Sequence, residues 1–142
     1  MLFRSADKEN WEGTQRIPSE GELFDSMSRN LPSLQVKLAA HRDMLTASGV
    51  PIFAVYEAGQ SLIASNHPWR ATAIAAQRSE SMGLLYTRIR ETLQQGGVHL
   101  ANWYSAATSQ TPSDPRVDVF GLLETTLDKA GPLPKAIAAK GG

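Results

Sequence analysis

The segment from Asn66 to Gly97 constrains the fold most, because it carries the signals for both ends of a long helix. Pro68 suits the first turn of a helix, and the pair Gly96-Gly97 suits the residues that follow one. Between these ends, apolar side chains recur at helical spacing along one face: Ala71, Ile74, Ala75, Met82, Leu85, Ile89 and Leu93. The pattern predicts one helix from residue 68 to residue 95, with Arg78 on its apolar face.

Two amphipathic segments precede this helix. Ser19 and Glu22 have the spacing of a capping box, which predicts a helix start, and Pro32 is expected to end or restart that helix. A second helix is predicted from residue 34 to residue 48, with Gly49 as its C-terminal cap. The apolar faces of the two helices consist of Leu23, Phe24, Met27 and Leu31 in the first, and of Leu34, Leu38 and Leu45 in the second.

Two further amphipathic segments follow the long helix. The spacing of Leu100, Trp103, Tyr104 and Ala107 predicts a short helix. Asp114-Pro115 combines an acidic cap with a proline at the first helical position, which predicts another helix that ends at Gly131-Pro132. The buried face of that helix consists of Val117, Phe120, Leu123 and Leu127. The sequence therefore predicts a mainly α fold, a compact bundle of about five helices with flexible terminal arms.

Residues 51–65 fit two different structures. As a helix, they place a stripe on one face: Ile52, Val55, Tyr56, Gly59, Leu62 and Ile63. As a β-hairpin, they form strands at 52–56 and 61–65, and Gly59 supplies the left-handed residue of the turn. The β-branched and aromatic residues favour the hairpin, whereas the periodicity and the helical neighbours favour the helix. The alternative to the bundle is thus an α+β fold with a β-hairpin at 51–65.

The stretch Phe53–Ser65, with an alanine-rich helix after it, resembles the strand–turn–strand–helix of roadblock-type and PAS-type domains. The resemblance covers about 40 residues of the chain. Those domains are sensory and scaffold modules with further strands after the helix, whereas residues 100–130 of this chain have helical patterns. The resemblance implies a hairpin at 51–65 and a small sensory or regulatory module that recruits a partner or a ligand.

The charge and hydropathy patterns limit the partners that we expect. Lys plus Arg and Asp plus Glu number 14 each, and no basic stripe is present, so nucleic acid is not an expected partner. The longest apolar run, Val50–Tyr56, is far shorter than the about 20 residues that span a bilayer. The N-terminus lacks the apolar region of a signal peptide. We expect no membrane contact and a location in the cytoplasm or inside a larger particle.

The residues with reactive side chains form no recognisable catalytic pattern. The absence of cysteine excludes disulfides, thiolate metal sites and a cysteine nucleophile. The three histidines, His41, His67 and His99, do not have the spacing of metal ligands, and His41 is expected at the edge of the core. No nucleophile elbow, phosphate-binding loop, dinucleotide fingerprint or zinc-protease motif occurs. We expect no catalytic residue, no cofactor and no metal, and hence a protein that is not an enzyme.

The domain organisation follows from the same patterns. We expect three parts: residues 1–18 as an N-terminal arm, residues 19–130 as a single helical domain, and residues 131–142 as a flexible C-terminal tail. Trp11 is the one large aromatic residue of the polar stretch in the arm. Together with Arg78 and Trp103, it is a candidate interface residue.

Amphipathic helices, two terminal arms and the lack of catalytic motifs are typical of proteins that act by contact. We therefore expect a non-enzymatic protein–protein interaction or assembly subunit. It would be oligomeric and could belong to a large complex such as a virus particle or a secretion machine. The alternative is the sensory or regulatory module that the resemblance to roadblock and PAS domains implies.

Overall fold

The computed structural model describes residues 2–4, 16–62, 67–104, 122 and 134–140. Within these ranges the helices and strands follow one another in this order: β1 Leu2–Arg4, α1 Glu20–Ser28, α2 Leu31–Ala47, β2 Ala54–Ser61, α3 Arg70–Gln77, α4 Glu80–Gln95, β3 Leu100–Trp103 and α5 Pro134–Lys140. Helices dominate the described residues, as the amphipathic patterns predict.

The three strands form a parallel sheet in the order β1-β2-β3. Leu2 lies opposite Gly59 in one pair of strands, and Ala54 lies opposite Leu100 in the other. Parallel neighbours need a crossover connection, and here α1 and α2 lie between β1 and β2, while α3 and α4 lie between β2 and β3. The prediction of a helical bundle is therefore correct in its helical majority and wrong in leaving out this sheet.

Several predicted helix ends are confirmed where the sequence specifies them. Ser19 Oγ accepts from the N–H of Glu22 at 3.3 Å, and Glu22 Oε2 accepts from the N–H of Ser19 at 2.8 Å, which completes the capping box. Gly49 follows α2 with a φ of +70°, and Gly97 follows α4 with a φ of +79°. Both glycines adopt the left-handed conformation that ends a helix.

The predicted helix from 68 to 95 is two helices, so the single-helix prediction is wrong. Helix α3 ends at Gln77, Arg78 caps it, and Ser79 has an extended backbone with a ψ of 155°. Ser79 Oγ accepts from the N–H of Met82 at 3.2 Å and donates to the carbonyl of Ala76 at 2.8 Å. The hydroxyl of Ser79 thus provides a hydrogen-bond partner for a backbone carbonyl at the end of α3 and for a backbone N–H at the start of α4. Both hydrogen bonds stabilise the break between the two helices.

Residues 51–65 form neither the predicted helix nor the predicted hairpin. Strand β2 runs through Gly59, which has a φ of +129°, and pairs in parallel with both neighbours. A hairpin requires antiparallel strands, so the resemblance to roadblock and PAS domains loses the feature on which it rests. The strand is favoured by pairing with residues far away in sequence, a contribution that local periodicity does not report. Residues 63–66 lie outside the described residues.

The predicted helix at 100–107 is also wrong where the structure describes it, because residues 100–103 form β3. The N–H of His99 donates to the carbonyl of Phe53 at 2.8 Å, at the start of the ladder with β2. The N–H of Tyr104 donates to the carbonyl of Ala58 at 2.7 Å, at its end. The pattern alone does not show whether such a short apolar run forms a strand or a helix.

The core lies between the inner side of the sheet and the helices. Its buried apolar side chains are Phe53, Val55, Ala58 and Leu62 from β2 and its flanks, and Leu23, Met27, Leu34, Leu38, Trp69, Ala73, Ile74, Ala76, Met82, Leu85, Tyr86, Ile89, Leu93 and Ala139 from the helices and their caps. The stripes that the sequence predicts for the helices supply many of these residues. Removal of their apolar surface from water, at about 25 cal/mol per Å², is the main stabilising contribution.

The predicted arm and the predicted tail each contain an element of the fold. Strand β1 lies within residues 1–18 and pairs with β2, and α5 lies within residues 131–142 and packs on α4. Of the helix predicted after Asp114-Pro115, Leu122 alone is described, and it is partly buried against the core. The domain boundaries stay a prediction. No helix in the described part of the chain is long and apolar enough to cross a bilayer.

Candidate functional site

One face of the sheet points away from the core, and we call it the outer face. Over residues 52–56, exposure alternates with the period of two that a strand imposes. Ile52, Ala54 and Tyr56 are exposed, whereas Phe53 and Val55 are buried. Strand β3 adds alternate residues on the same side, because Leu100 lies opposite Ala54. The name outer face is used here for its part on β2, β3 and the residues beside them, which consists of Ile52, Ala54, Tyr56, Leu100, Asn102 and Tyr104.

The outer face is apolar and nearly uncharged. Its large apolar side chains are accessible: Ile52 is 61% exposed, Tyr56 81%, Leu100 57% and Tyr104 36%. Together they present about 500 Å², within the usual range for the largest apolar patch of a monomer. Across residues 50–62 and 98–104, Glu57 is the only acidic residue, and lysine and arginine do not occur. Depletion of charge is typical of the centre of a protein–protein interface.

In the part of the chain that the structure describes, no element packs on the exposed residues of the outer face, which is unusual for a parallel sheet. Helical crossovers normally cover both faces of such a sheet, so its strands are apolar on both sides. In this chain the buried residues of the helices pack with Phe53 and Val55 on the inner face. The exposed Ile52 and Tyr56 are nevertheless as apolar as the buried residues between them. The run of residues 52–56 is therefore typical of a strand segment that is covered on both faces.

A second candidate site is a cluster of polar side chains buried at the carboxyl end of β2. Gln77 Oε1 accepts from Gln60 Nε2 at 3.1 Å and from Lys135 Nζ at 2.5 Å. Gln60 is 2% exposed, and both Gln77 and Lys135 are 0% exposed. Gln77 Nε2 has no hydrogen-bond partner. Ligands of open α/β sheets bind just outside the carboxyl ends of the strands, so this position is one where a site is expected.

The buried polar cluster holds α5 in place. Lys135 belongs to α5 and Gln77 to α3, so their hydrogen bond joins the two helices. Two further side chains reach the end of α5: Arg90 Nη1 donates to the carbonyl of Ala138 at 3.1 Å, and Trp103 Nε1 donates to the carbonyl of Ala139 at 3.3 Å. Because its three side chains are closed to solvent, the cluster does not offer a surface that a substrate could reach.

Tyr86 packs against β2 beside Gln60, one residue of this cluster. A Cβ atom on Gly59 would lie 3.1 Å from the Tyr86 hydroxyl, so the ring packs directly on the backbone of β2. Burial raises the pKa of Tyr86 to about 12, although a hydrogen bond with the backbone of Gln60 acts in the opposite direction. Its ring lies 5.1 Å from that of Trp103. Tyr86 therefore keeps its proton at neutral pH and serves the packing.

The residues predicted as interface candidates lie on different elements. Trp11 lies outside the described residues. Arg78 caps α3 and is exposed, so the prediction that it lies on the apolar face of one long helix is wrong. Trp103 is half-buried and packs on Tyr86, and its role in an interface stays a prediction. His41 is exposed on α2, so the prediction that it lies at the edge of the core is wrong.

The other two histidines make contacts within the fold. His99 Nδ1 accepts from the N–H of Phe53 at 3.1 Å, and the ring of His67 stacks on that of Trp69 with centroids 5.7 Å apart. Across the described ranges, no group of three or more His, Asp or Glu residues is placed to hold a metal ion.

Comparison with known proteins finds no family model, curated protein or solved structure that matches this chain. We therefore interpret the outer face and the buried polar cluster from their geometry alone.

The residues of the outer face are the ones that the sequence patterns misplaced. Helical spacing put Ile52 and Tyr56 on one apolar stripe, and Leu100 and Tyr104 on another. An alternation of apolar and polar residues would have indicated a strand with an exposed face. Residues 52–56 are all apolar, so no such alternation exists in this part of the chain.

Proposed function

We propose that this chain is a non-enzymatic protein–protein interaction and assembly subunit that forms an oligomer through its outer face. The proposal is carried by one observation, the exposed apolar face of a parallel sheet, on which Tyr56 is 81% accessible. Covering such a face releases water from apolar surface, which is the dominant driving force of most protein association. A subunit of a larger particle, such as a virus or a secretion machine, needs surfaces of this kind.

Tyr56 sets the scale of the expected effect. Burial of one large apolar side chain stabilises by about 1.5–3 kcal/mol. When two copies each bury one Tyr56 side chain, its loss weakens association by about 3–6 kcal/mol, or about a hundred-fold or more in the dissociation constant. Tyr56→Glu adds the cost of removing a carboxylate from water, so it is the stronger perturbation.

The molar mass in solution tests the proposal. Light scattering after size-exclusion chromatography, over a range of concentrations, compares the wild type with the monomer mass of 15.4 kDa. We expect the mass of the wild type to rise with concentration. We expect Tyr56→Glu to stay monomeric up to concentrations about a hundred-fold higher.

Val36→Glu is the matched control for this experiment. Val36 is 71% exposed, but it lies on α2 rather than on the outer face. The control should associate as the wild type does, and circular dichroism should show that both variants are folded. A wild type that is monomeric at every concentration, or an equal loss of association in both variants, would contradict the proposal.

A further inference from the structure

Helix α5 contacts the rest of the fold with little large apolar surface. Its buried side chains are those of Lys135 and Ala139, and its large apolar side chain, Ile137, is 59% exposed. Pro134 packs on Gly83, where a Cβ atom would lie 3.0 Å from the Cβ of the proline. Because the hydrophobic contribution scales with the apolar area that is buried, α5 gains much less from it than α4, which buries several large apolar side chains.

Hydrogen bonds to three other elements hold α5 in place. Lys135 Nζ donates to Gln77 Oε1 of α3 at 2.5 Å. Side chains of α4 and β3 donate to the carbonyls of Ala138 and Ala139, at 3.1 Å and 3.3 Å. Water replaces these partners when α5 leaves, so each hydrogen bond contributes far less to docking than the same bond would in isolation. Lys135 also regains the hydration of a charged group, which favours the undocked position.

The side-chain amide of Gln77 favours undocking for a second reason. Its Oε1 accepts from both Lys135 Nζ and Gln60 Nε2, so the reversed amide would bring donors together at both contacts. Nε2 is therefore fixed on the other side of the amide, where it has no hydrogen-bond partner in the described part of the chain, although Gln77 is 0% exposed. A buried donor without an acceptor destabilises the closed form, and water that enters when α5 leaves satisfies this donor.

We propose that α5 is a latch, which undocks from α4 as one unit while the rest of the fold persists and so opens the buried polar cluster to solvent. Segments with little buried apolar surface open at a lower free energy than the core, and they open as cooperative units. Undocking removes Lys135 from the cluster and gives water and polar solutes access to the amides of Gln60 and Gln77. The latch does not rest on the proposed function, because none of these residues belongs to the outer face.

Labelling of single cysteines measures the opening, because the chain contains no cysteine of its own. Ala139→Cys places a thiol on the buried side of α5, and Ala73→Cys places one in the core on α3. The rate of alkylation by iodoacetamide is divided by the rate of the same variant unfolded in urea. We expect Ala139→Cys to react about a hundred-fold or more faster than Ala73→Cys. Low urea concentrations should leave the rate of Ala139→Cys unchanged and raise that of Ala73→Cys, because global unfolding exposes far more surface.

Three results would overturn the latch. Equal rates with the same dependence on urea would mean that α5 opens only when the whole fold unfolds. A rate for Ala139→Cys as high as that of Val36→Cys, whose position is 71% exposed, would mean that α5 is not docked. Hydrogen exchange of the wild type needs no substitution, and the amides of α5 should exchange faster than those of α4, with little dependence on urea. Exchange in α5 as slow as in α4 would be the third such result.

Gln77→Met distinguishes the latch from fraying of the last turn of α5. Lys135, the partner of Gln77, lies in the first turn of α5, whereas position 139 lies in the last. If α5 undocks as one unit, loss of the hydrogen bond to Lys135 should raise the labelling rate of Ala139→Cys about ten-fold or more. Gln94→Met, on the exposed side of α4, should leave this rate unchanged. A labelling rate that Gln77→Met does not change would show fraying alone and would overturn the proposal.

Discussion

Replacing Gln77 by methionine removes the acceptor at the centre of the buried polar cluster. Gln77 Oε1 accepts from Lys135 Nζ at 2.5 Å and from Gln60 Nε2 at 3.1 Å. Loss of a hydrogen bond from a charged donor costs about 1.5–3 kcal/mol, and a buried amide donor left without its acceptor costs about 1–3 kcal/mol. The substitution also removes Gln77 Nε2, which has no partner, and so recovers about 1–3 kcal/mol. Because the last two contributions cancel, the net effect expected on the free energy of unfolding is a loss of about 1.5–3 kcal/mol.

Urea unfolding of Gln77→Met and Gln94→Met measures this difference. Gln94 lies on the exposed side of α4, so the same change there should stay within about 0.5 kcal/mol of the wild type. Hydrogen exchange should also be faster in α5 of Gln77→Met than in that of the wild type, because the hydrogen bond between Lys135 and Gln77 joins α5 to α3. A loss as small as that of the control, with unchanged exchange in α5, would refute the role of the cluster.

Two further predictions concern the backbone of β2 and the start of α1. Gly59→Ala should destabilise the fold by about 1–3 kcal/mol, because Gly59 has a φ of +129° and its Cβ would lie 3.1 Å from the Tyr86 hydroxyl. Gly21→Ala is the control, because no atom lies within 4 Å of the added carbon, and it should stabilise α1 by about 0.5–1 kcal/mol. Equal effects of the two substitutions on the free energy of urea unfolding would contradict the requirement for glycine at position 59. The pKa of Glu22 is lowered from 4.5 to about 2, first by the N–H of Ser19 and then by the guanidinium of Arg16. The contribution of this carboxylate to the stability of the fold is therefore complete above pH 4.5 and is lost as the pH falls towards 2. Glu22→Gln should make stability depend less on pH in this window, and an unchanged pH dependence would contradict the role of the carboxylate.

The helix ends could be predicted because the residues that specify them are close in sequence. The capping box needs only Ser19 and Glu22, and a left-handed helix end needs only a glycine such as Gly49 or Gly97. The break at Ser79 has a similarly local cause, but the continuous apolar stripe on both sides of it concealed the start of a new helix.

The strands could not be predicted, because their stability comes from pairing over long distances in sequence. Ala54 pairs with Leu100, and Gly59 pairs with Leu2, at separations that local periodicity does not sample. The outer face was missed for the same reason. Its exposure follows from the sheet, and the all-apolar run of residues 52–56 does not indicate which of its two sides is covered.

The most direct test of the outer face as the contact surface is its solvent accessibility in solution as the concentration is raised. Hydroxyl-radical footprinting read by mass spectrometry reports the modification of Ile52, Tyr56 and Leu100, with Val36 as the exposed reference on α2. Self-association through the outer face predicts full modification of these residues in dilute protein and protection at high concentration, while Val36 stays modified throughout. Modification of Tyr56 that does not change with concentration, or protection at Val36 instead, would contradict the claim.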